Sequence, residues 1–213
     1  ALVGLSGGGK TTVTNLLLRF YEPTEGRITL DGVDIRDYRQ QAWRARIGLV
    51  LQDIHLFPGT LGENLKVLRD DIPDEALSRA LRIVQGEELL QRLPAGYATE
   101  LAEGGGNLSM GERQLLCFAR AVVENPDILV LDEATSAVDP VTESRLQRAL
   151  GALLEGRTSV IVAHRLATVT GADRILVMHQ GRLVEQGSHA ELYERGGIYR
   201  DLFDLQFAAQ VTA

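Results

Sequence analysis

Gly4-Leu5-Ser6-Gly7-Gly8-Gly9-Lys10-Thr11 reads as a glycine, four residues, then Gly-Lys-Thr; the apolar Leu2-Val3 precedes it and a helical apolar pattern from Val13 to Phe20 follows. Strand, glycine-rich turn and helix in that order make a phosphate-binding loop. Backbone amides ring the phosphates, the helix N-terminus adds the positive end of its dipole, a lysine brings a point charge and a hydroxyl faces Mg2+. On that pattern Gly4, Ser6, Gly7, Gly8 and Gly9 line the loop, Lys10 carries the charge, Thr11 faces the metal, and Thr12 extends the helix-end contacts. The plainer alternative is a glycine turn that only caps a helix. The loop decides the fold, because it is a strand-to-helix turn of a parallel α/β sheet, whose ligands lie beyond the carboxyl ends of the strands.

Three more apolar strands each end in a polar group. Asp127-Ile128-Leu129-Val130-Leu131 runs into Asp132 and Glu133, a continuous apolar run suited to a strand buried on both faces. Ile47-Gly48-Leu49-Val50-Leu51 ends at Gln52, and Thr158-Ser159-Val160-Ile161-Val162-Ala163 ends at His164. Lys10, Gln52, Asp132, Glu133 and His164 are therefore expected to converge on one nucleotide, with Thr11 and Asp132 around Mg2+ and Glu133 polarising the attacking water. His55, His179 and His189 have no such company and read as structural.

The rest of the chain supports an α/β domain with small antiparallel additions. Asp31-Gly32 between Arg27–Leu30 and Val33–Ile35 signals a type I′ hairpin, and Asp139-Pro140 opens a helix through about Leu154. Ser188 with Glu191 forms a capping box ahead of the C-terminal helices. From Thr60 to Val123 strand patterns disappear; Pro73 opens an amphipathic helix to about Val84, and Glu87–Arg92 reads as a short one. Within that block lies Gly104-Gly105-Gly106-Asn107-Leu108-Ser109-Met110-Gly111-Glu112, where Ser109 and Glu112 have capping-box spacing but the glycines exceed what a cap needs.

The 213 residues, 45% hydrophobic and 24% charged, suffice for one domain with a subdomain. A formal net charge of −7 gives no general attraction to nucleic acid, so any bound anion is held locally. A single cysteine, Cys117, precludes an internal disulfide. No apolar run approaches the roughly 18 residues of a membrane span.

Taken together the motifs resemble the nucleotide-binding domain of ABC transporters, and the resemblance runs the length of the chain. Leu108-Ser109-Met110-Gly111-Glu112 stands where that family carries its LSGGQ signature, Gln52 is its Q-loop glutamine, Ser136-Ala137-Val138-Asp139 its D-loop and His164 its switch histidine. The resemblance implies a P-loop NTPase, RecA-like core of mainly parallel sheet over residues 1–57 and 124–213, with an inserted α-helical signature subdomain over about 58–123. Because Ala1-Leu2-Val3 reads as the tail of a strand, N-terminal strands and the usual adenine-stacking aromatic are expected upstream.

The resemblance also implies ATP and Mg2+ as ligands, and a second nucleotide-binding domain, identical or not, as head-to-tail partner. ATP is then sandwiched between one loop and the other subunit's Ser109, Gly111 and Glu112, with Asp139 at the same interface. Phe57–Leu65, Thr99–Gly105, His164–Val169 and Gly181–Gly187 look like exporter segments, which implies a transmembrane domain on the same polypeptide and a place at the cytoplasmic face of the membrane. An importer ATPase subunit and a regulatory half of an asymmetric pair are the rivals; a DNA-repair ATPase would need long coiled coils that do not occur. Met110 and Glu112 depart from the signature's glycine and glutamine; Glu112 is expected to place a carboxylate near a polyphosphate and weaken the sandwich, but it also suits the helix dipole and the capping box, so a tuned rather than a dead signature is expected.

Overall fold

The computed structural model describes residues 1–67, 69–132, 139–163 and 166–211. Strand β1 (Leu2–Val3) passes through the glycine loop into α1 (Lys10–Leu17). The expected hairpin forms as antiparallel β2 (Thr29–Leu30) and β3 (Val33–Asp34); Asp31 and Gly32 take φ of 49° and 86°, the two positive values a type I′ turn requires. Helix α2 (Gln40–Arg44) buries Trp43, whose indole N–H donates to the Leu17 carbonyl at 2.7 Å and so fixes the end of α1. Strand β4 (Ile47–Val50) follows.

The segment expected to lack strands holds one small antiparallel pair, β5 (Gly59–Thr60) with β6 (Glu100–Leu101). Two residues are too few to show an alternating pattern, so only their pairing reveals them. Between them lie α3 (Leu61–Lys66), α4 (Asp74–Ile83) and α5 (Glu87–Arg92), and after them α6 (Met110–Val122). The Thr60–Glu63 capping box starts α3, and a buried stripe of Ala76, Leu77, Ala80 and Leu81 defines the inner face of α4. The remainder is β7 (Ile128–Asp132), α7 (Pro140–Leu154), β8 (Thr158–Val162), α8 (Leu166–Thr170), β9 (Ile175–His179), β10 (Arg182–Gly187), α9 (His189–Arg195) and α10 (Ile198–Val211).

Six strands form one mainly parallel sheet in the order β10-β9-β1-β8-β7-β4, and β1 runs parallel to both of its neighbours. Ile128 to Leu131 of β7 are all buried, as a strand covered on both faces must be. The contacts divide into two compact units, one of Ala1–Arg44, Val130–Thr135 and Val160–Ala213, the other of Ala45–Leu129 and Ser136–Ser159. The first has a core of Leu2, Val162 and Met178, with Val13, Val160 and Leu176 packed on it. The second buries Leu61, Leu65, Leu77, Leu81, Leu115 and Leu116 among its helices; each such leucine contributes about 1.5–3 kcal/mol when fully withdrawn from water.

Candidate functional site

The glycine loop is shaped by its neighbours. A Cβ on Gly4 would run into the Met178 carbonyl oxygen of β9, and one on Gly8 would stand 2.9 Å from that oxygen and 3.0 Å from the Leu5 carbonyl. Only glycine lets the loop lie this close to the strand. The turn joining β9 to β10 adds a tie, since the Gly181 N–H donates to the Gly8 carbonyl at 3.0 Å. That support was missed in the sequence; Gln180-Gly181 between two apolar strand patterns was the available signal.

Gly9 is the N-cap of α1, at φ 102°, and Lys10 is its first residue. Lys10 is only 9% exposed, and its ammonium donates to the Gly4 carbonyl at 2.7 Å and the Leu5 carbonyl at 3.1 Å. Burial pushes its pKa below the ordinary lysine range, and the negative charge of Asp132 at the end of β7 partly restores it. A buried cation at a helix N-terminus, next to one carboxylate, is arranged to meet an anion larger than that carboxylate. Ser6, Gly7, Thr11 and Thr12 are exposed around it. Thr11 is anchored through its carbonyl, which accepts from the buried Thr14 hydroxyl at 2.9 Å. Hydroxyl and carboxylate oxygens are hard donors that fit Mg2+ held jointly with phosphates; among the described residues no group of three or more His, Cys, Asp and Glu side chains could hold a metal alone.

The other unit gathers a second set. Gly104 and Gly105 adopt φ of 61° and 72°, so two of the three glycines ahead of the signature are required by the turn that delivers Ser109. Ser109 caps α6 with a complete capping box: its hydroxyl accepts the Glu112 N–H at 3.3 Å, and Glu112 Oε2 accepts the Ser109 N–H at 2.8 Å. The other Glu112 oxygen is paired with the Arg92 guanidinium from the end of α5. The carboxylate expected to stand as an extra negative charge therefore has a cationic partner, 20 residues away in sequence.

Gly111 is buried, and a Cβ there would overlap the Thr142 Cγ2 methyl in the first turn of α7. This lets the starts of α6 and α7 pack together. Asp139 caps α7, its Oδ1 accepting the N–H groups of Val141 at 3.1 Å and Thr142 at 3.0 Å. Hydrogen bonds from Thr142 hold its carboxyl below the usual carboxylate range. Ser109, Gly111, Glu112 and Asp139 thus lie on two adjoining helix N-termini, beside exposed Met110 and Val141. Gln52 is exposed two residues beyond β4. Glu133, His164 and the D-loop residues Ser136 to Val138 fall outside the described residues.

Of the remaining histidines, His189 Nδ1 hydrogen-bonds the buried Tyr199 hydroxyl at 2.7 Å. The His55 carbonyl accepts from Arg120 of α6 at 2.8 Å. The same guanidinium donates to the Asn64 carbonyl at 3.0 Å and to Asn64 Oδ1 at 3.1 Å, pinning residues 55–64 to the signature helix.

Known proteins resemble this chain in sequence and fold. The family model described as ABC transporter matches residues 1–136. An uncharacterized ABC transporter ATP-binding protein of Bacillus subtilis, YfiC, is 49% identical over 207 residues, 97% of this chain and 34% of that protein. A fatty acid ABC transporter ATP-binding/permease protein of Mycobacterium bovis is 49% identical over 199 residues, 93% of this chain and 32% of that protein. The ATP-dependent lipid A-core flippase of Chromobacterium violaceum is 48% identical over 208 residues, 98% of this chain and 36% of that protein. A solved structure of a bacterial Atm1-family ABC exporter with ATP bound superposes with a TM-score of 0.85 at 44% identity, covering 96% of this chain and 36% of that one. The chain spans about a third of the length of these relatives. With the glycine loop, the buried lysine and the capped signature helix in the expected order, the chain belongs to the ABC transporter family, as its ATP-binding domain.

Proposed function

We propose that this domain binds and hydrolyses MgATP and that the cycle powers an exporter. The observation that carries the reading is Lys10, a buried ammonium held at the N-terminus of α1 beside Asp132. Phosphoryl transfer asks a protein for positioning and charge stabilisation rather than covalent chemistry. Lys10 and the amides of residues 7–12 hold the β- and γ-phosphates, Thr11, Gln52 and Asp132 orient Mg2+, Glu133 draws the proton from the attacking water, and His164 contacts the γ-phosphate. Mg2+, when bound, neutralises charge on the phosphate oxygens.

Two copies, or this domain and a related one, close head to tail, so that ATP on one loop meets Ser109 and Gly111 of the other, with Asp139 and Glu112 at the same seam. Free amides at the start of α6, next to the start of α7, supply the positive potential for that contact. The division into a core over 1–57 and 124–213 and a signature subdomain over about 58–123 belongs to the same reading. The relatives named for ATP-binding/permease function and for flipping lipid A-core support a transmembrane domain on the same polypeptide and a position at the cytoplasmic face of the membrane. The test is Mg-dependent ATP hydrolysis by the full-length protein. Turnover that disappears in Lys10→Ala supports the assignment, and turnover equal to wild type in that variant overturns it.

A further inference from the structure

We infer that Arg92 is a positioning residue for the signature helix: by neutralising Glu112 it keeps the start of α6 electropositive enough to receive a phosphate. The inference rests on the head-to-tail reading above. Glu112 performs two tasks that conflict electrostatically. Its Oε2 accepts the Ser109 N–H at 2.8 Å and completes the capping box, which needs only a hydrogen-bond acceptor. Its negative charge, however, sits in the first turn of the helix whose free amides are to meet a polyphosphate, and like charges there oppose binding.

Arg92 resolves the conflict. The Glu112 side chain is 14% exposed and Arg92 is 64% exposed, so the carboxylate is the shielded member and the guanidinium reaches over it from α5. Both of its oxygens are then engaged, one by the cap and one by Arg92. The pair does locally what a neutral glutamine would do alone, while retaining the stronger acceptor. A partner this exposed contributes little to folding, because water screens surface ion pairs and holding two long side chains together costs entropy. Its effect is on the potential at the helix end.

The experiment uses the full-length protein in lipid nanodiscs, with the KM for ATP and kcat measured for wild type, Arg92→Gln, Arg92→Lys, Glu112→Gln and the Arg92→Gln/Glu112→Gln double variant. Arg92→Gln is expected to raise KM about three- to tenfold with kcat retained at saturating ATP, the scale of one exposed charge close to the ligand. Arg92→Lys retains most of the wild-type KM. The rise shrinks at about 0.5 M salt, where a charge effect is screened. Adding Glu112→Gln to Arg92→Gln lowers KM relative to Arg92→Gln alone, because removing the carboxylate removes the need for the arginine. A KM unchanged in Arg92→Gln, or a rise that survives both high salt and Glu112→Gln, overturns the inference. Ser109→Arg, which fills the helix end, separates this failure from that of the underlying reading: if it leaves KM and turnover unchanged, the signature helix itself does not meet ATP.

Discussion

Gly111→Ala in α6 sets two opposed effects against each other at a single methyl group. Alanine is the better helix former, by about 0.8–1.0 kcal/mol in a helix interior and by less in the first turn. The added Cβ would overlap the Thr142 Cγ2 methyl, whereas the Thr142 Cβ lies at 3.8 Å, an ordinary contact. Overpacking of this kind costs about 1–3 kcal/mol, so the substitution should destabilise by about 0.5–2 kcal/mol net. Thr142→Ser removes the offending methyl and keeps the hydroxyl that bonds Asp139. In that background Gly111→Ala should be neutral or slightly stabilising, giving a coupling of about 1–2 kcal/mol. Urea denaturation followed by far-ultraviolet circular dichroism measures all four corners of the cycle. A loss of stability of the same size in both backgrounds would refute the packing argument and assign the glycine to something other than helix contact.

Two further outcomes follow from particular contacts. Asp139 has a folded-state pKa below its unfolded one, so the unfolded chain binds more protons, and the stabilisation is present above the ordinary carboxylate range and lost as pH falls through the folded pKa. The melting temperature of wild type should exceed that of Asp139→Asn at neutral pH and the gap should close below about pH 4, as thermal melts across pH will test. Arg120→Ala removes the donors to the His55 carbonyl, the Asn64 carbonyl and Asn64 Oδ1, and should cost about 1–3 kcal/mol in urea denaturation, with Arg120→Lys recovering only part because one ammonium lacks the fork.

Much of this was legible in the residues. The β1 to α1 turn, the Asp31-Gly32 hairpin, the Asp139-Pro140 helix start and the capping boxes at Ser109 and Ser188 are local signals, each carried by a few adjacent side chains with one strongly preferred geometry. The parallel sheet was legible because Ile128 to Leu131 are apolar without alternation. What could not be read was contact at a distance. The β5 and β6 pair has no period to detect, and the approach of Gly4 and Gly8 to the Met178 carbonyl depends on strand order. The Arg92 partner of Glu112 depends on a contact between the end of α5 and the start of α6, 20 residues apart in sequence. The roles of Glu133 and His164 rest on their positions after β7 and β8 in the sequence.

The central claim, that this domain closes a dimer on ATP and reopens it by hydrolysis, is tested most directly by Glu133→Gln in the full-length protein with MgATP. Retained nucleotide is identified after rapid gel filtration. The account predicts that the variant elutes with intact ATP bound and turns over far more slowly than wild type. Steady release of ADP at the wild-type rate would contradict it.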